Sequence, residues 1–119
     1  MEVTYKETLE KAITLYKNQK YNEAIEQFDI ILTSHPEEVN GWFYGGLSDY
    51  HLKRYQDADG KFGKVLSNKQ TEFNEEAIWY KALTLIELKQ IDKAKKLLKE
   101  IISSNEFYKA KAEEKLKGL

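Results

Sequence analysis

The residues of this chain that could carry chemistry are two histidines, five serines and a few paired carboxylates. A histidine could serve as a general base or a metal ligand. On a helix, either role usually shows as a partner one turn away, as in Glu-x-x-His or His-x-x-x-His. His35 precedes Pro36 in an expected turn, and His51 lies near the end of an expected helix; neither has such a partner. A nucleophilic serine would sit in a glycine-flanked elbow. Ser34, Ser48, Ser67, Ser103 and Ser104 have none, and four of them fall near expected helix ends, where capping accounts for them. The pairs Glu37-Glu38 and Glu75-Glu76 begin expected helices, where the helix dipole favours negative charge. There is no cysteine, which removes disulfides, thiolate metal sites and cysteine nucleophiles together. No catalytic, metal or cofactor site is expected, and the chain does not read as an enzyme.

One stretch invites a different chemistry. Residues 41–66, GWFYGGLSDYHLKRYQDADGKFGKVL, hold five of the six glycines. GWFYGG lacks the Gly-Lys-Ser/Thr ending of a phosphate loop and follows no strand, so it does not cradle phosphate. Its apolar residues are spaced as on helices, which makes it a helical hairpin with a turn near Lys53-Arg54.

The whole chain must supply elements to hold that hairpin. One proline in 119 residues, among long runs of helix formers, points to an all-α fold. In YNEAIEQFDIIL, Tyr21, Ala24, Ile25, Phe28, Ile31 and Leu32 form one helical stripe. The stripe recurs with Tyr55, Ala58, Phe62, Val65 and Leu66, and again with Ile91, Ala94, Leu98, Ile101 and Ile102. Ala24 to Ala58 is 34 residues and Ala58 to Ala94 is 36, so the chain repeats internally. A small residue stands twelve positions before each of these alanines, at Ala12, Gly46 and Ala82, and lets two helices approach closely. Seven helices are expected, at about 4–18, 22–34, 37–52, 56–67, 72–88, 92–103 and 105–117. Pro36 is placed in the first turn of the third. Ser104 or Asn105 is expected to cap the seventh, Phe107, Tyr108, Ala112 and Leu116 to give it an apolar face, and Gly118 to end it.

These units resemble the tetratricopeptide repeat family, whose pattern is a large aromatic, a small residue four later, Tyr-x-x-Ala-x-x-x-Phe, and proline. The middle unit matches at Trp42, Gly46, Tyr55, Ala58, Phe62 and Leu66. The first matches at Ala12, Tyr21, Ala24, Phe28, Leu32 and Pro36, with Thr8 in place of the aromatic. The third keeps Ala82 and Ala94 but has Ile91 for Tyr, Leu98 for Phe, no proline, and Trp79 one residue late. The resemblance covers roughly residues 4–106. It implies one domain, a right-handed α-solenoid of three hairpins (about 5–38, 39–72 and 75–104) closed by a capping helix at about 105–117. A lysine-rich last helix suits that place, because lysine stems cover apolar surface while their heads stay in water.

The resemblance also implies a binding role, since in this family the first helices of successive units line a concave groove. Carried over by position, the groove would include Leu9, Ile13 and Tyr16, then Asn40, Phe43, Tyr44, Leu47 and Tyr50, then Trp79, Leu83 and Ile86. Helical spacing puts Trp42 and Gly46 on a packing stripe. Phe43, Leu47 and Tyr50 fall on a neighbouring stripe the hairpin need not bury, so Phe43 and Trp79 are expected to be partly exposed. Family members that clamp a C-terminal carboxylate use Lys, Asn and Arg on this face. Here the matching places hold Leu9, Ile13, Tyr44 and Asn40, so no clamp is expected. The partner implied is a protein or peptide with an apolar or amphipathic segment, or another copy of this chain acting as a self-assembling unit.

Charge narrows the partners further. Residues 1–40 carry four Lys and eight acids, a net of −4; residues 41–88 come to −1; residues 89–119 carry nine Lys and five acids, a net of +4. The total of −1 and a groove poor in Lys and Arg argue against nucleic acid. No apolar run approaches the roughly 20 residues of a membrane helix, and the N-terminus has no signal-peptide core, so no membrane insertion is expected. A soluble, cytoplasmic chain or a domain of a longer protein is expected. The charge polarity suggests weak head-to-tail association.

Overall fold

The computed structural model describes residues 4–68, 71–104 and 106–119. Among the described residues the chain forms seven helices and no strand. They are α1 (Tyr5–Lys17), α2 (Tyr21–Ser34), α3 (Val39–His51), α4 (Tyr55–Ser67), α5 (Asn74–Glu87), α6 (Ile91–Ser104) and α7 (Lys109–Lys117). Each helix packs on the next in sequence, giving an array 54 × 27 × 22 Å in extent. The all-α architecture of helical hairpins is as expected.

The small residues explain why the hairpins close. Ala12, Ala82, Ala24, Ala58 and Ala94 are fully buried, and Gly46 is buried with them. A methyl group added at Gly46 would lie 2.8 Å from Cε1 of Phe62, so α3 and α4 approach more closely than any side chain there would allow. Around these contacts run three apolar clusters, centred on Phe28, Phe62 and Leu98.

The turn within each hairpin is the same device three times. The N–H groups of Gln19, Lys53 and Lys89 donate to the carbonyls of Tyr16, Tyr50 and Ile86. The next residues, Lys20, Arg54 and Gln90, reach back to Leu15, Asp49 and Leu85. This double hydrogen bond closes a helix C-terminus and requires a left-handed residue at the bend. Gln19, Lys53 and Lys89 supply it at φ of 63°, 62° and 62°, without glycine.

Three helix starts differ from expectation by two residues or more; α5, expected from about 72, begins at Asn74. Pro36 and Glu37 form a turn of their own, and α3 begins at Val39 with the Glu38 carboxylate accepting from the Asn40 N–H at 3.2 Å. The α7 helix begins at Lys109, with Tyr108 in the capping position and no side-chain cap. Ser104 belongs to the end of α6, where its hydroxyl donates to the Glu100 carbonyl at 2.6 Å; Asn105 lies outside the described residues. The other serines behave alike: Ser48 donates to Tyr44, Ser67 to Lys64 and Ser103 to Glu100 within their own helices. Helix C-terminal back-bonding, and not N-terminal capping, is what satisfies them.

Candidate partner-binding surface

Which face of the array is concave follows from which helices touch. The first helices of successive hairpins pack on one another, α1 on α3 and α3 on α5; the second helices approach no more than marginally. An array whose first helices lie closer together than its second helices bends toward the first. The α1–α3–α5 side is therefore the inner one, and it holds the residues carried over by position.

The structure divides those residues into two sets. Leu9, Phe43 and Leu47 are buried, so they do not line an open groove. The expectation that Phe43 is partly exposed is overturned: it is 2% exposed. The cause is Phe73, in the connection from α4 to α5, whose ring stacks on Phe43 at 4.3 Å and 10°. Leu9 is taken up in the first hairpin's cluster with Ala12, Ala24, Phe28 and Ile31. Ile13, Tyr16, Asn40, Tyr44, Tyr50, Trp79, Leu83 and Ile86 stay half-buried. Trp79 is partly exposed as expected, though Tyr108 stacks along it at 5.4 Å and 18°. Trp42 is half-buried against the middle cluster, and its indole N–H donates to the Pro36 carbonyl at 2.7 Å.

What remains accessible is a run of aromatic rings that crosses every hairpin. Tyr21 and Tyr16 are 5.8 Å apart, and Tyr16 meets Tyr44 of the next hairpin at 5.5 Å. Tyr50 meets Tyr80 of the third at 5.4 Å. His51 joins this run, stacked on Tyr21 at 4.8 Å and lying 5.7 Å from Tyr50. Burial pushes the hydroxyls of Tyr16, Tyr44, Tyr50 and Tyr80 to higher pKa, in the case of Tyr16 to about 12. Burial also lowers the pKa of His51, which favours its neutral ring at pH 7.

Two features of this region escaped the sequence reading. Tyr80 was passed over for its neighbour Trp79, although Tyr44 to Tyr80 is 36 residues, the same step as Gly46 to Ala82. Beneath the surface, the Asp49 carboxylate is 1% exposed and accepts from Lys61 Nζ at 2.6 Å. Asp29 stands 3.4 Å from the same ammonium, so one lysine ties α2, α3 and α4 together. Burial raises the Asp49 pKa, and the Lys61 hydrogen bond and charge pull against that rise. No periodicity argument marks such a pair, because each partner looks like a surface charge in isolation. No group of three or more metal-ligating side chains occurs among the described residues. No helix there is long and apolar enough to cross a membrane.

No curated protein matches this chain. A family model described as "Tetratricopeptide repeat" matches residues 76–105, which span α5 and α6. Such repeats typically mediate protein–protein interaction and are typically non-catalytic. The match covers about a quarter of the chain; with the matched hairpin preceded by two others built on the same buried small residues and the same turn, the seven-helix arrangement fits a repeat protein of the tetratricopeptide type.

Proposed function

We propose that the chain is a protein-interaction module that takes a segment of a partner protein along its inner face. The observation that carries this is the run of half-exposed tyrosines, Tyr16, Tyr44, Tyr50 and Tyr80, contributed by α1, α3 and α5. Tyrosine gives large contact area at low conformational cost, and aromatic residues dominate the energetics of protein interfaces. The inner face offers no clamp for a terminal carboxylate, since Leu9 is buried and Ile13 and Tyr44 stand at two of the other places.

Site-specific photo-crosslinking in cells tests this reading. A photoreactive residue at position 50 or 80 should trap a partner protein, and one at the exposed position 26 of α2 should not. Tyr16→Ala should weaken the adduct formed from position 50. Equal trapping from position 26 would place the contact elsewhere and overturn the reading.

A second reading rests on the charge polarity, −4 over residues 1–40 and +4 over residues 89–119. The module would then assemble head to tail with its own copies. Sedimentation velocity at low and high salt separates the two: a monomer at micromolar concentration and 50 mM salt excludes self-assembly.

A further inference from the structure

We infer that the segment accepted by this face is cationic, a Lys- or Arg-bearing stretch of the partner whose side chains lie over the tyrosine rings. The inference rests on the reading of the inner face as a partner-binding surface, and adds the chemistry of what binds.

Of the apolar residues on this side, Leu9, Phe43 and Leu47 are buried, and Ile13, Leu83 and Ile86 are only half-accessible. The rings left accessible are chiefly tyrosines, with Trp79 and Phe107, and their faces carry the negative quadrupole that attracts ammonium and guanidinium groups. Exposed carboxylates border them. Glu76, in the first turn of α5, bears on the hydroxyls of Tyr16, Tyr44, Tyr80 and Tyr108. Those tyrosines come from α1, α3, α5 and the residue before α7, and Glu76 itself lines the cleft beside Phe107 and Tyr108. Glu72 bears on Tyr44 as well, and Glu87 on Tyr50. Glu72, Glu76 and Glu87 form no ion pair among the described residues; Lys61 and Lys81 pair with Asp29, Asp49 and Asp59, and Lys111 lies over the Tyr108 ring at 5.7 Å, an internal instance of the contact proposed.

The same chemistry continues at the end of the face. Phe107, 73% exposed, borders a cleft of about 420 Å³ with Tyr108, Glu72, Glu75 and Glu76. Aromatic walls with carboxylates at the rim are complementary to a cation and repel an anionic segment. Glu75, Glu76 and Glu87 lie on α5 and Glu72 just before it, so the acidic border belongs to the third hairpin.

The test is a nuclear magnetic resonance titration of the whole chain at low salt with a blocked peptide of alternating arginine and alanine. Its glutamate counterpart and a neutral leucine–glutamine amphipathic peptide serve as comparisons. The arginine peptide should shift the amides around Tyr16, Tyr44, Tyr50 and Tyr80, and the glutamate peptide should not. Glu76→Gln with Glu87→Gln should weaken it about fivefold, the scale of two partly exposed charge contacts. Glu23→Gln with Glu26→Gln, on the α2 surface, should leave it unchanged.

Shifts centred on Glu23 and Glu26, or affinity indifferent to Glu76 and Glu87, would overturn the cationic partner. If the neutral peptide alone shifts the four tyrosines, the face binds partners but not cationic ones, and the module reading survives without this inference. If the same shifts appear on concentrating the chain without peptide, the occupant is a second copy and the inference fails.

Discussion

Replacing Gly60 by alanine should stabilise the protein, whereas the same change at Gly46 should not. Both glycines lie inside helices, where glycine is about 0.8–1 kcal/mol less favourable than alanine. At Gly60 the new methyl would meet nothing within 4 Å, so nothing opposes the gain. At Gly46 it would lie 2.8 Å from Cε1 and 3.0 Å from Cδ1 of Phe62, a fully buried ring. Overpacking of that kind costs roughly 1–3 kcal/mol, which offsets the helix gain and leaves a net loss of about 0–2 kcal/mol. The first hairpin holds Ala12 against the matching Phe28, so a modest opening of α3 from α4 sets the lower end of that range. Urea denaturation followed by circular dichroism measures both variants against the parent. For a chain of this size, 1 kcal/mol corresponds to about 4 °C in Tm. A neutral or destabilised Gly60→Ala variant, or a Gly46→Ala variant as stable as it, would refute the reasoning.

Three further outcomes follow from burial and charge. Phe43→Ala should lose about 3–5 kcal/mol in the same denaturation assay, and Trp79→Ala distinctly less, because Phe43 is sealed by Phe73 whereas Trp79 stays half-exposed. Because the folded-state pKa of Asp49 is raised above 3.8, the native state holds its proton to higher pH than the unfolded chain does. That contribution to stability is present at low pH and lost as pH rises from about 3.8, so the stability of Asp49→Asn relative to the parent should improve over that window. The pKa of His51 is lowered, so its contribution runs the other way: full above 6.5, and lost as pH falls from 6.5 through the lower folded value. A ring-proton titration of His51 should give a midpoint below 6.5, and His51→Gln should flatten that part of the stability profile.

The repeat was legible because close helix packing leaves a mark on single residues. Ala12, Gly46 and Ala82 are small for a reason that spacing alone reveals, and their step of 34 then 36 survives the loss of tyrosine and proline in the third unit. Phe43 was misread because period shows which residues share a stripe, but not which later residue will cover it. Phe73 falls in the first turn of the helix expected from about 72, whereas α5 begins at Asn74 and leaves Phe73 in the connection, free to fold over Phe43. The aromatic face is half-legible for a related reason: the 36-residue step carries Phe43 to Trp79 and Tyr44 to Tyr80 alike, and spacing does not show that the second pair is the more accessible. The α7 boundary is not legible because Glu106, Phe107 and Tyr108 suit a first helical turn by composition, whereas Tyr108 is buried against Trp79 and the helix begins after it.

The non-glycine residues at the three bends give each hairpin its own adjustable clasp. A side chain other than glycine, asparagine or aspartate held near φ of 62° is disfavoured by roughly 1 kcal/mol. Gln19, Lys53 and Lys89 are thus three small tensions, held independently at the same point of successive units. In a quasi-one-dimensional array, stability is close to a sum over units and their neighbours, so relaxing one bend with glycine strengthens mainly its own unit. Relaxing the bends one at a time would let the order in which the hairpins melt be chosen without touching the inner face.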